Sequence, residues 1–205
     1  MNVLSDRLVN LFGALAVGIT DRIKKAAFDP TIPGGGETTA AIVVIGHATG
    51  LSIDELGRVL GLSHAGTVRL VDRLVAAGFA VRSKALRDRR AVALMLTEAG
   101  ETRLSAILQR RNETLSEILS HVSNADRLVL ERIAETILAQ MSDDAVSALT
   151  ICRLCDERRC YNCPMDAFGM LESSTHTRPG SQRRGRRRMC GRSAAQLPAF
   201  FHQGR

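Results

Sequence analysis

Few folds can accept the run of helix stops and starts written between Leu51 and Gly100. Ser52 stands three residues before Glu55, the spacing of a capping box, so a helix starts there with Asp54 to Leu60 as its body. Ile53, Leu56, Val59 and Leu60 give it one apolar side. Gly61 can close it in the left-handed region at little steric cost. Leu62 fills the turn, and Ser63 caps a second helix from about His64 to Ala77. Leu70, Val71, Leu74 and Val75 recur at helical spacing and should face a core. His64, Thr67, Arg69, Asp72 and Arg73 fall on the other side. A rise of about 1.5 Å per residue makes this helix roughly 20 Å long, enough to lie in a DNA major groove.

Gly78 ends the second helix, and Phe79–Ser83 and Ala91–Leu96 are rich in strand formers. The residues between them, Lys84 to Arg90, hold four cations (Lys84, Arg87, Arg89, Arg90) and one acid, Asp88. Such a loop is long for a tight hairpin and reads as an extended basic wing. Thr97 caps the next helix. Helix, tight turn, helix and basic hairpin in this order predict a winged helix-turn-helix, mainly α with a small β-wing.

Long helices flank this unit. Leu4, Leu8, Leu11, Phe12, Leu15, Ile19 and Ile23 mark an amphipathic helix from Val3 to about Ala27. Two prolines and three glycines make Phe28 to Gly36 a loop, and Glu37 to His47 should be a short buried helix. Thr97 to His121 and Asn124 or Asp126 to Met141 give two more helices. Their apolar stripes exceed what a small domain covers internally, so they are expected to pair with a second copy; an ordinary monomeric core is the other reading. The resulting plan has a dimerisation helix and loop (1–36), the DNA-binding unit (37–100), dimerisation helices (101–145), a cysteine segment (146–171) and a basic tail (172–205).

The net charge of +7 misleads, because residues 172–205 hold eight arginines against Glu172 alone and carry the whole excess. Residues 51–96 have eight basic and four acidic side chains, and that local surplus is the electrostatic argument for duplex DNA. With aromatics at 3% and no Trp, base stacking on single strands is poorly supported. No nucleotide-binding loop, HExxH or nucleophile–base spacing suggests an enzyme. No run of 18 apolar residues suggests a membrane span, and the N-terminus lacks a basic secretory leader, so a cytoplasmic address is expected.

The stretch LSIDELGRVLGLS, then T-x-R-L-V-D-R-L, then Asp88-x-Arg90 running into L-T-E-A-G, resembles the MarR family of bacterial transcriptional regulators. The resemblance spans about residues 1 to 141. It implies a homodimer on pseudopalindromic double-stranded operator DNA, often released by a small phenolic effector or an oxidant signal, and the expected role is that of a repressor. By position it implies that Ser63, His64, Ala65, Gly66, Thr67, Arg69 and Arg73 serve the major groove. Arg90, with Arg87 and Arg89, would serve the wing contact, and Asp88 would brace the wing through a salt bridge. His64-Ala65-Gly66 is a slim start for a reading helix, so specificity should lean on Arg69, Thr67 and DNA shape.

A second signal is Cys152-x2-Cys155-x4-Cys160-x2-Cys163-Pro164. Four thiols in twelve residues, in a reducing compartment, favour ligands over structural disulfides. Arg153, Arg158 and Arg159 would offset thiolate charge. The separation is tight for paired zinc knuckles, and Cys155-x4-Cys160-x2-Cys163 partly matches an iron–sulfur spacing. An iron–sulfur cluster, zinc, a thiol–disulfide switch and no function all stay open, and the family resemblance does not vouch for this segment. A rival reading of the whole chain follows: a redox or electron-transfer protein that uses its winged helix for docking. Cys190 reads as an incidental thiol in a disordered arginine-rich tail. His47 and His121 read as helix-end residues favoured by the dipole, with metal ligation as the alternative.

Overall fold

The computed structural model describes residues 5–84, 92–169 and 171. The expected wing tip, with Arg87, Asp88, Arg89 and Arg90, lies outside the described residues, as does the tail with Cys190. The elements run α1 (Asp6–Ala27), α2 (Gly36–His47), α3 (Ile53–Leu60), α4 (His64–Ala76), β1 (Ala80–Lys84), β2 (Val92–Leu96), α5 (Glu98–Ser120), α6 (Asn124–Leu138), α7 (Ala145–Cys152) and a short 3₁₀ helix, Pro164–Phe168. This is the mainly α architecture with a two-stranded wing that the sequence predicts.

Local signals set the boundaries. Ser52 and Glu55 complete a reciprocal capping box, and Gly61 stands at φ 66 as the left-handed C-cap of α3. The hydroxyls of Ser63 and Thr97 accept the Gly66 and Gly100 N–H groups, starting α4 and α5. β1 and β2 pair antiparallel, Ala80 opposite Leu96 and Lys84 opposite Val92. Gly50 and Leu51, just ahead of α3, share backbone hydrogen bonds with the far side of β2: Leu94 N donates to Leu51 O, and Gly50 N to Leu94 O.

The core is one cluster centred on α2, whose residues Thr38 to Gly46 are all buried. Around it pack Leu51, Leu56 and Val59, Leu70, Val71 and Leu74, Leu94, and Leu104, Ile107 and Leu108 of α5. Val75 departs from its expected core position: it lies just past the buried stripe and is 36% exposed. α1 and α6 contrast with α2, since Leu8, Leu11, Phe12 and Leu15 are each about half exposed and α6 buries no residue.

Residues 145–169 are no loose appendage. α7 lies against α3, and Val146, Leu149, Leu154 and Leu171 pack on the core cluster. The Thr150 hydroxyl donates to Val59 O of α3 at 3.0 Å. Among the described residues, no helix is long and apolar enough to cross a membrane.

Candidate nucleic-acid interface

α4 presents its N-terminal turn to solvent. Ser63, His64, Ala65, Arg69, Asp72 and Arg73 are exposed, and Leu70, Val71 and Leu74 hold the opposite face in the core. Arg69 has no hydrogen-bond or ion-pair partner among the described residues, so its guanidinium is available to a phosphate or base edge. The His64 Nδ1 lies 2.6 Å from Asp54 Oδ1, tying the first turn of α4 to the start of α3. Arg73 leans over the α1–α2 loop: a methyl group built on Gly34, at φ +100, would sit 2.8 Å from its Nε.

One expected reader is misplaced. Thr67 is fully buried, its hydroxyl donating to Ser63 O at 3.0 Å and facing α3. The cause is the close crossing of the two helices. A Cβ on Gly57 would stand 2.8 Å from Thr67 Oγ1 and 3.3 Å from Leu62 O, so glycine lets α4 approach. Thr67 therefore supports the helix-turn-helix from inside. Gly66 has a local task as well, since a Cβ there would crowd the Ser63 capping hydroxyl at 3.2 Å.

The base of the wing is locked to both neighbouring helices. Asp72 of α4 pairs with Arg82 of β1 at 2.8 Å, a bridge that sequence reading missed because the two residues occupy different elements. Thr97 donates from its hydroxyl to Gly78 O at 2.6 Å and from its N–H to Phe79 O at 3.0 Å. Arg103 of α5 stacks its guanidinium 5.6 Å from the Phe79 ring centre.

A second site forms where the cysteine segment meets α2 and α5. His47, whose side chain is 6% exposed, places Nε2 2.5 Å from Cys155 O and Nδ1 3.5 Å from Glu157. It is thus a cross-link between α2 and the segment rather than a plain helix end. Burial opposes its charge, but Glu157 and the Cys155 carbonyl outweigh that and raise its pKa. Arg111 of α5 reaches Cys155 Sγ at 3.9 Å, and Asn112 donates to Asp156 at 3.0 Å. Cys152, Cys155 and Cys163 are half-buried, and Cys160 is exposed. A hydrogen bond from Cys152, opposed by burial and aided by the Arg111 and His47 charges, brings the Cys155 thiol down to about 6. The Cys152 thiol is pushed up by its bond to Cys155 and by burial, and Cys160 rises to about 11. Among the described residues, no three or more His, Cys, Asp and Glu side chains stand together as a metal-holding group. His121, the C-cap of α5, lines a cavity of about 320 Å³ with Leu15, Ile19 and Arg22 of α1 and Ile118.

Comparison with known proteins agrees with this geometry. Residues 36–91 match the MarR family model. The transcriptional repressor MprA of Escherichia coli K12 is 33% identical over 95 residues, 45% of this chain and 54% of that protein, so the chain spans about half the length of the curated relatives it matches. A MarR family protein from Bacillus stearothermophilus superposes with a TM-score of 0.60 at 23% identity, over 69% of this chain and 100% of that one. CouR from Rhodococcus jostii RHA1, solved bound to p-coumaroyl-CoA, superposes at 0.50 with 21% identity, over 68% of this chain and 94% of CouR. Over residues 36–91, which hold the capped helix-turn-helix and β1 of the wing, this chain is similar to the MarR family.

Proposed function

We propose that this chain is a double-stranded DNA-binding transcriptional regulator, a repressor that acts as a homodimer in the cytoplasm, with no catalytic role. One observation carries the reading: α4 turns Ser63, His64, Arg69 and Arg73 outward beside a hairpin whose connecting residues hold Arg87, Arg89 and Arg90. The half-exposed Leu8, Leu11, Phe12 and Leu15 of α1 and the bare Leu128 and Ile133 of α6 support a second copy as partner. Two such units would set recognition helices about 34 Å apart, one turn of DNA.

A small-molecule effector fits the cavity between α1 and α5, which is apolar along Leu15, Ile19 and Ile118 and polar at Arg22, Glu117 and His121. It touches the helices proposed to pair, so a bound ligand could favour one dimer geometry over another and shift DNA affinity. MprA, by its name a transcriptional repressor, supports the sign of control.

Paired substitutions on α4 test the reading. Arg69→Ala should weaken binding to genomic fragments selected by the wild type on the order of tenfold and leave stability intact. Thr67→Val should do the opposite, costing about 1 kcal/mol of stability with fragment preference unchanged. Unchanged affinity in the Arg69 variant would remove α4 from the interface.

A further inference from the structure

The thiol segment is fastened to the two places a regulator must move. Through α7 it grips α3, where Thr150 bonds the Val59 carbonyl, and through Cys155, Asp156 and Glu157 it grips α5 and α2. The four cysteines are not equivalent within it. Arg111 reaches the Cys155 sulfur and the His47 ring meets the Cys155 carbonyl, whereas Cys160 is exposed. Cys155 N also donates to Cys152 O at 2.8 Å, closing a turn. The ends of such a turn lie within about 7 Å, inside the reach of a disulfide without unfolding.

We infer that Cys152 and Cys155 form a dithiol switch, oxidised by a carboxylate-bearing low-molecular-weight disulfide, that loosens α7 from α3 and lowers DNA affinity. This rests on the DNA-binding reading above. In the first step the Cys155 thiolate attacks one sulfur of the small disulfide. A mixed disulfide forms and one small thiolate leaves. Cys152, giving up its proton to solvent, then attacks the Cys155 sulfur and expels the second small thiolate. Two protein thiols are oxidised, one small disulfide is reduced to two thiols, and electrons balance.

The docking side fits that partner. A cavity of about 570 Å³ borders the segment immediately after Cys155, lined by Asn112, Glu113 and Ser116 of α5 and by Asp156, Arg158 and Arg159, with Arg158 paired to Glu101 at 3.4 Å and Arg159 to Asp156 at 3.3 Å. Its hydroxyl, amide and mixed acidic and guanidinium groups suit the amides and zwitterionic ends of a carboxylate-bearing, peptide-sized disulfide. Oxidation also removes the anion that Arg111 faces. The Arg111 Nε and Asp156 Oδ1 are already buried without a hydrogen-bond partner, so the seat of the segment on α5 has little polar reserve to lose.

The full chain, with Cys190→Ser to silence the tail thiol, is reduced anaerobically and treated with glutathione disulfide. Peptide mass spectrometry should find a Cys152–Cys155 link, and affinity for the selected DNA fragments should fall on the order of tenfold and recover with dithiothreitol. Cys152→Ser should trap a mixed disulfide on Cys155, while Cys160→Ser and Cys163→Ser should leave the response intact. A response that survives loss of Cys152 and Cys155 would overturn the inference. So would stoichiometric zinc or iron that needs all four cysteines. The link without any change in DNA affinity would overturn the coupling to α3. Failure of the reduced protein to bind DNA, with the link still forming, would instead sink the regulator reading.

Discussion

α4 and α1 are both amphipathic, yet they meet opposite fates. Leu70, Val71 and Leu74 of α4 are at most 1% exposed, buried in the core cluster of the same chain where α4 packs on α3 and β1. Leu8, Leu11, Phe12 and Leu15 of α1 lie at 49–53%. Burying a side chain of this kind contributes roughly 1.5–3 kcal/mol, so α4 takes its stability inside the monomer and α1 leaves a comparable amount unrealised. An apolar stripe in sequence is therefore two different statements. In the helix-turn-helix it specifies the fold of one chain, and at the N-terminal helix it specifies a surface that something else must cover.

The sharpest way to break the self-contained half of that contrast is at Gly100. A Cβ there would fall 2.0 Å from the Phe79 carbonyl oxygen and 3.2 Å from the Leu96 Cβ, with no flexible side-chain end to yield. Gly100→Ala should lower unfolding free energy by on the order of 3 kcal/mol, measured by denaturant titration. A loss below 1 kcal/mol would mean that α5 and the wing base are not locked together.

The unfinished half predicts the reverse pattern. Phe12→Asp places a charge on a half-exposed position, so monomer folding should hold while the dissociation constant of the proposed dimer rises on the order of thirtyfold or more. Sedimentation across micromolar concentrations reads this. Wild-type protein that stays monomeric throughout would leave α1 waiting for a different partner.

Legibility in the sequence followed the same divide. Ser52, Glu55, Gly61, Ser63 and Thr97 act within four residues of themselves, and each cap stands where local chemistry puts it. Thr67 was misassigned outward because helical spacing gives a face but no width. Only Gly57, a glycine set inside a short helix, hinted that a neighbour passes close there. Asp72–Arg82 and His47–Glu157 join residues 10 and 110 positions apart, and no local pattern encodes such pairs. The cysteine spacing announced a thiol cluster, but its docking on α3 and α5 depends on α7, whose short apolar run carries no clear helical period.

The smallest effect concerns the joint between the two halves. Asp29 follows α1 and is 6% exposed. It accepts hydrogen bonds from the Thr31 N–H and hydroxyl at 2.9 and 2.6 Å, with Arg103 and Arg110 of α5 at 3.5 and 3.4 Å. The Thr31 hydroxyl bond, against burial and with help from both arginines, holds its carboxyl below the usual 3.8. A lowered folded-state pKa means the carboxylate stabilises the fold above the unfolded value and loses that contribution as pH falls through the folded one. Stability should thus decline from about pH 4 downward, and Asp29→Asn, costing about 1 kcal/mol at neutral pH, should flatten that part of the profile. If the variant keeps the wild-type acid slope, the Asp29 clamp plays no part in presenting the open face, and α1 is held to α5 by apolar contact and the Arg110 bond to Ala26 O.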